Sequence, residues 1–318
     1  MGSEKKTTKL RNLLKEGRTL VKPSAFDALS AMIIERAGFK CCGVTGYGVS
    51  ATLLGKPDLG LTTLSEVAMV TRHIAAAVNI PVITDADTGY GNAINVMRTV
   101  DEFIRAGAAG LQLEDQVSPK RCGYVAGYQV ISVEEMVGKI RAADRVRREM
   151  DPDFVITARC DARGTRGVSL DDVIERCNAY LDAGADIAFP VASLTEEELV
   201  RCVREIRGPI QYIRTPGVTP LLSLERLNEL GVAMVSNFDG ALESSTRAMW
   251  DYMFAFAADD IEFVKRYAEE AKSHPMGTMN NLLGFPEFRK LEEEFLPAQE
   301  VQERYQSFAG SKPWDQEH

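Results

Sequence analysis

The chain has 318 residues, 45% hydrophobic and 26% charged, with a formal net charge of −9. These proportions suit a globular protein that buries its core without disulfides, and the acidic balance argues against nucleic acid as a partner. Residues 1–17 are Lys-rich and polar with no apolar run behind them, and nothing approaches the roughly 20 apolar residues of a membrane span. The expectation is a cytoplasmic protein with reduced thiols and no membrane partner.

In chain order, short β-rich apolar runs predict strands at 19–22, 41–46, 80–85, 109–114, 154–159, 186–190, 209–213 and 233–237. Helix-period stretches separate them at 26–37, 64–77, 93–106, 133–149, 170–183, 195–206 and 222–230. Eight strands alternating with helices predict a closed parallel (β/α)8 TIM-type barrel. Ala37-Gly38-Phe39, Ala106-Gly107-Ala108 and Ala183-Gly184-Ala185 recur just before strands, where a glycine turns the chain out of the preceding helix. Beyond 242 the pattern is helical, at 242–257, 259–272 and 285–307. The charged, amphipathic Phe285–Pro297 segment is expected to pack on the barrel rim or on a second subunit. The reading is one domain over 1–318, with 242–318 as a C-terminal helical extension.

Active sites of such barrels gather at the C-terminal ends of the strands. The second strand ends in Thr45-Gly46-Tyr47-Gly48 and the third in Asp85-Ala86-Asp87-Thr88-Gly89-Tyr90-Gly91. The fourth ends in Glu114-Asp115 and the fifth in Arg159-Cys160-Asp161. Carboxylates crowded round one mouth repel one another, and a hard cation such as Mg2+, with its oxygen ligands, removes the conflict. Asp85 and Asp87 are expected to point different ways, one binding metal directly and the other through water. The alternative is that these acids cap helices or pair with lysines.

The histidines are His73, His274 and His318, none in these loops, and the six cysteines form no CxxC pair. Proton chemistry therefore falls to carboxylates, Cys, Tyr or Lys. In the loop from Glu114 to Tyr124, Cys122 follows Lys120 and Arg121, whose charges favour a thiolate. The competing reading is an incidental loop cysteine. Arg159 closes a buried-looking strand and needs an anion. That anion is a substrate carboxylate held bidentately, or else Asp161 or Glu114 in a structural pair.

These residues resemble the isocitrate lyase/phosphoenolpyruvate mutase superfamily. The resemblance rests on Pro23-Ser24-Ala25-Phe26-Asp27-Ala28, Thr45-Gly46, Lys56-Pro57-Asp58-Leu59-Gly60, the Asp85–Gly91 run, Glu114-Asp115-Gln116, Pro119-Lys120-Arg121-Cys122-Gly123 and Ala158-Arg159-Cys160-Asp161-Ala162. It covers residues 20–190 in order and lies nearest the methylisocitrate lyase and carboxyphosphonoenolpyruvate mutase branch. The resemblance implies a barrel whose last helices swap between subunits of a homodimer or homotetramer. It implies Mg2+, with Mn2+ as an alternative ion, near Asp85, Asp87 and Glu114. It implies a small anionic carboxylate substrate, with its oxo-acid end held by Thr45, Gly46, Tyr47 and Arg159. Asp58 matches an aspartate near the reacting centre. The Lys120-Arg121-Cys122-Gly123 loop looks like the form found in carbon–carbon lyases, which implies a cysteine that protonates an enolate, and carboxyphosphonoenolpyruvate-type mutases share that form.

The chain departs from those lyases on one side of the mouth. Tyr124 stands where a His is usual, and Phe189-Pro190-Val191-Ala192 lacks the usual acid. Gln211 through Pro216 and Ser236-Asn237-Phe238-Asp239 replace the patterns after the last two strands, and Tyr47 replaces a small residue. Arg214, Tyr212, Tyr124 and Asn237 are therefore expected to shape a rebuilt pocket. The leading expectation is a Mg2+-dependent lyase that cleaves or forms a C–C bond of a 2-hydroxy or 2-oxo acid through an enolate of a pyruvate-like product. The alternatives are an oxaloacetate-type hydrolase or decarboxylase, or a phosphonomutase or phosphonopyruvate hydrolase acting on a P–C bond. The intact acids, Cys122 and Arg159 argue against a catalytically silent scaffold.

Overall fold

A computed structural model of the chain describes residues 4–123, 125, 127–191 and 195–305, with side chains as far as 303. The chain divides into two compact units, Met1–Ser245 and Thr246–His318.

The first unit is a barrel of eight parallel strands: β1 (Leu20–Ala25), β2 (Cys42–Val44), β3 (Val82–Asp85), β4 (Gly110–Glu114), β5 (Val155–Cys160), β6 (Ile187–Pro190), β7 (Gln211–Ile213) and β8 (Met234–Asn237). The strands pair in the order β6-β5-β4-β3-β2-β1-β8-β7. A parallel bridge between Ala188 and Ile210 closes the ring between β6 and β7. Around it lie α2 (Ala28–Arg36), α4 (Leu64–Ala77), α5 (Ala93–Arg105), α6 (Val133–Met150), α7 (Leu170–Asp182), α8 (Glu196–Glu205) and α9 (Leu224–Leu230). Side-chain caps start them. Asp27, Thr63, Asn92 and Ser169 each close a reciprocal capping box, satisfying amides that a helix start leaves bare.

Two helices of the first unit were absent from the sequence reading. The Lys-rich N-terminus forms α1 (Lys6–Lys15), which caps the N-terminal end of the barrel. Its Leu10 is buried with Leu20, Cys41, Ile83, Ala109, Val155, Ile187 and Met234. Leu10, Leu13 and Leu14 recur at helical spacing, so the signal was present beneath the lysines. The second is the short α3 (Gly46–Val49), continued by a π-helical turn at Ser50–Leu54.

In the second unit, the helix α10 (Gly240–Ala271) continues past Ser245 and breaks at Asp260 (φ 41°, ψ −119°). The break lets Tyr252 meet Phe263 and Tyr267 edge-on at 5.0 and 4.8 Å. The helices α11 (Met279–Leu282), α12 (Phe285–Phe295) and α13 (Ala298–Tyr305) follow. Among the described residues, no helix is long and apolar enough to cross a membrane.

Candidate active site

Residues two apart on a strand share a face, so the barrel interior can be read by period two. Leu20, Lys22 and Ser24 of β1, Ile83 and Asp85 of β3, Gln112 and Glu114 of β4, and Thr157 and Arg159 of β5 point inward. The bottom layer is apolar and sealed by Leu10. Above it opens a cavity. Its upper rim carries Thr45, Tyr47, Asp58, Asp85, Cys122, Gly123 and Arg159, and its floor carries Lys22, Gln112, Gln211 and Ser236. Phe189, Val191, Ile213 and Phe238 form an apolar wall on the β6–β8 side.

The carboxylates converge, and the expected divergence of Asp85 and Asp87 is corrected. A Cβ placed on Gly46 would lie 2.9 Å from Asp85 Oδ2 and 3.2 Å from Asp87 Oδ1, so both face the same spot. The strand ends at Asp85, and Asp87 takes a left-handed φ of 44° that returns its side chain inward. The Gly46 amide donates to Asp85 Oδ2 at 3.3 Å.

Lys120 was expected to bind substrate and is not among the residues that line the cavity. It is buried, with Nζ 2.7 Å from Asp58 Oδ2 and 2.9 Å from Asp87 Oδ1. Burial alone would discharge it, but Asp87, Glu114, Asp85 and Asp58 together hold it as ammonium. Arg159 lies on the cavity wall and already has the two acids that formed its structural alternative. Nη1 is 3.2 Å from Glu114 Oε2, and Nη2 is 2.8 Å from Asp161 Oδ1. Asp115 leaves the cluster. It faces the helix layer, accepting from the Asp161 amide, the Tyr180 hydroxyl and Arg176.

Five carboxylates, Asp58, Asp85, Asp87, Glu114 and Asp161, thus share two paired cations, Lys120 and Arg159. Asp87 Oδ1 and Glu114 Oε2 are buried and met only by the ion pairs with Lys120 and Arg159, and Glu114 Oε1 is buried without a hydrogen-bond partner. Burial pushes Asp87 up to about 6 against the pull of Lys120, and pushes Glu114 well above the ordinary carboxylate range against Arg159. Excess negative charge and unspent oxygen donors fit a hard divalent cation. Among the described residues, no three His, Cys, Asp or Glu side chains already stand as a ligand set. Mg2+ does not require one, because it keeps waters and takes one or two carboxylates plus substrate oxygens.

The loop after β4 is fastened at both ends. Gln116 bridges Val130 at its base, and the Cys122 amide donates to Asp58 O at 3.1 Å over the β2 loop. Gly123 is forced by space: a Cβ there would lie 2.3 Å from Arg159 Nη2 and 2.7 Å from Asp161 Oδ1. Cys122 is partly exposed on the cavity wall. Tyr124 lies outside the described residues.

Three residues expected to shape the rebuilt side are not on the cavity lining. Tyr212 points out of the barrel, packed with Leu199, Leu227, Val232 and Val235, and its hydroxyl donates to Pro220 O at 2.7 Å. Arg214, one position beyond β7, does not line the cavity. Asn237 also stays off the cavity lining, and its Oδ1 accepts from the Gly240 amide. The apolar wall and the Lys22 floor occupy that side instead.

Residues 10–256 match the phosphoenolpyruvate phosphomutase family. The chain belongs to the phosphoenolpyruvate phosphomutase family. Within it, the chain is 43% identical over 284 residues to the 2,3-dimethylmalate lyase of Eubacterium barkeri, covering 89% of this chain and 92% of that one. A crystal structure of a 2,3-dimethylmalate lyase superposes with a TM-score of 0.85 at 29% identity, over 98% of this chain and all of that one. An oxaloacetate acetylhydrolase bound to the inhibitor 3,3-difluorooxaloacetate gives a TM-score of 0.80 at 31% identity, over 91% and 96%. A phosphonopyruvate hydrolase solved with oxalate and Mg2+ gives 0.80 at 28% identity, over 92% and 100%. Relatives of the chain thus include both lyases and hydrolases.

Proposed function

We propose that this chain is a carbon–carbon lyase that cleaves a substituted malate-type 2-hydroxy acid, or runs the reverse condensation. The observation that carries this reading is the placement of Cys122, Asp58 and Arg159 on one cavity whose opposite wall is apolar. Phe189, Val191, Ile213 and Phe238 suit alkyl substituents on the fragment that leaves, and they offer no polar group to position an attacking water. The similarity to 2,3-dimethylmalate lyase supports the same class.

In the proposed cleavage, Arg159, Thr45 and the Gly46 turn hold the carboxylate beside C2, and Tyr47 closes over it. Asp58 accepts the proton of the 2-hydroxyl group. C2 becomes the carbonyl of the released 2-oxo acid as the C2–C3 bond breaks, and its electron pair passes to C3. For a malate-type acid, the resulting enolate therefore lies on the leaving carboxylate fragment rather than on the pyruvate-like product. Cys122 delivers a proton to C3 and completes the saturated acid. Mg2+ held by Asp85, with Asp87 and Glu114 around it, would polarise the C2 oxygen. Lys120 keeps Asp58 and Asp87 in register.

The reading includes an assembly in which the exposed apolar side chains of the second unit are covered by another subunit, as a homodimer or homotetramer in the cytoplasm. The test of function is a panel of alkyl-substituted malates incubated with Mg2+, with 2-oxo acid read by a coupled dehydrogenase. Stoichiometric pyruvate or glyoxylate supports a lyase. Oxalate plus acetate from oxaloacetate, or phosphorus transfer from phosphonopyruvate, would replace it with a hydrolase or a P–C enzyme.

A further inference from the structure

Of the cations that line the cavity, Lys22 makes no ion pair among the described residues. Lys22 is the third residue of β1 and only 5% exposed, yet it lines the floor. Its Nζ lies 3.5 Å from both Gln112 Oε1 and Gln211 Oε1, the outer limit of a hydrogen bond. Gln211 Nε2 donates at 3.0 Å to Gln112 Oε1 and to Ser236 Oγ, which fixes both carbonyl oxygens toward the lysine. No carboxylate forms an ion pair with Lys22 among the described residues, whereas Arg159 and Lys120 each have two.

Two further features belong to the barrel interior. Thr157, in register with Gln112, has a buried Oγ1 without a hydrogen-bond partner. A Cβ on Gly43 would meet Ser24 Oγ at 2.9 Å and the Lys22 stem at 3.6 Å, so glycine there leaves the space in which both groups lie. Two long carbonyl contacts do not replace the hydration of an ammonium. Burial accordingly moves Lys22 down to about 8; Cys41, Asp85 and Cys42 pull it upward, and Arg159 pushes it further down.

We infer that Lys22, with Gln112 and Gln211, forms an anion subsite for the second carboxylate of a dicarboxylic substrate. The inference rests on the lyase reading above, in which that carboxylate belongs to the fragment that leaves. The apolar wall of Phe189, Val191, Ile213 and Phe238 offers no cation, and in the lyase reading Arg159 is already taken by the carboxylate beside C2. Lys22 is thus the cation available to a second carboxylate, and a ligand with only the oxo-acid end leaves it alone.

The test is titration calorimetry on the Mg2+-loaded full chain with two probes. Oxalate reports the oxo-acid end alone, and 3,3-difluorooxaloacetate carries both ends. Lys22→Met is expected to weaken difluorooxaloacetate by about 30-fold or more, while oxalate stays within about twofold. Lys22→Gln, which keeps a polar side chain, is expected to do the same, and oxalate binding certifies the fold of each variant. Equal loss of both probes, or no loss of either, would overturn the subsite. If the unmodified protein binds difluorooxaloacetate and oxalate but Lys22 is indifferent, the lyase reading survives alone. If it binds neither, both fall.

Discussion

Lys22 has a consequence for stability that needs no substrate. An unfolded lysine keeps its proton to about 10.5, while the folded one loses it near 8. Between those values the unfolded chain binds more protons, so the Lys22 contribution to stability rises with pH; below 8 the folded protein bears the whole cost of a buried charge. Lys22→Met is therefore expected to be more stable than the native chain at pH 7, with the margin shrinking as pH climbs from 8 toward 10.5. Urea unfolding at pH 7, 8 and 9.5 reads this directly, and a margin independent of pH would contradict it. Cys122→Ser tests the proton donor: kcat should fall by about 100-fold or more with KM little changed. Full activity would assign the proton elsewhere. The rim residues were legible because Asp85, Asp87, Glu114 and Arg159 sit at strand ends that apolar runs mark clearly. Lys22 was not, because Pro23 reads as a strand terminator. The strand instead runs through Pro23 to Ala25, in register with Asn237 of β8, and carries Lys22 inward.

At the scale of elements, the loop after β4 is positioned by what it lacks. Gly123 approaches Arg159 and Asp161 too closely for any side chain. Gly123→Ala must shift Arg159 or lift the loop, and about a tenfold or greater rise in KM for the 2-hydroxy acid is expected, with Mg2+ affinity unchanged. An unaltered KM would mean that Arg159 does not hold the substrate. The eight strands and the seven helices between them were readable because each alternates cleanly between apolar runs and capped, amphipathic turns. Side-chain direction past the strand ends was less readable. Asp87 turns inward through a left-handed residue, Asp115 turns outward onto Tyr180, and Lys120 reaches back into the acids. Those directions depend on loop backbones that no short-range pattern encodes.

For the whole molecule, the same charge arithmetic sets the site and the surface. The excess of buried carboxylates makes a divalent cation a stabiliser, and saturating Mg2+ at about 100 times its Kd should add about 2.7 kcal/mol to unfolding. In the second unit Met249, Trp250, Met253, Phe254, Phe288 and Phe295 are exposed, with Trp250 stacked on Phe254 at 4.4 Å. Such a patch on a monomer is unusual. Sedimentation should show a dimer or larger, and Trp250→Asp should shift it toward monomer; a native monomer would refute the assembly. The barrel and its rim acids followed from periodicity and from the position of motifs at strand ends, while the floor and the apolar wall required three-dimensional register.

The central claim is that a C–C bond breaks and that the leaving carbon takes a proton within this cavity. It is tested by turning over an alkyl-substituted malate in D2O with Mg2+ and analysing both products by mass spectrometry. The account predicts equal amounts of a 2-oxo acid and a saturated acid, the latter carrying one carbon-bound deuterium. Release of oxalate, transfer of phosphorus, or a saturated acid without deuterium would contradict it.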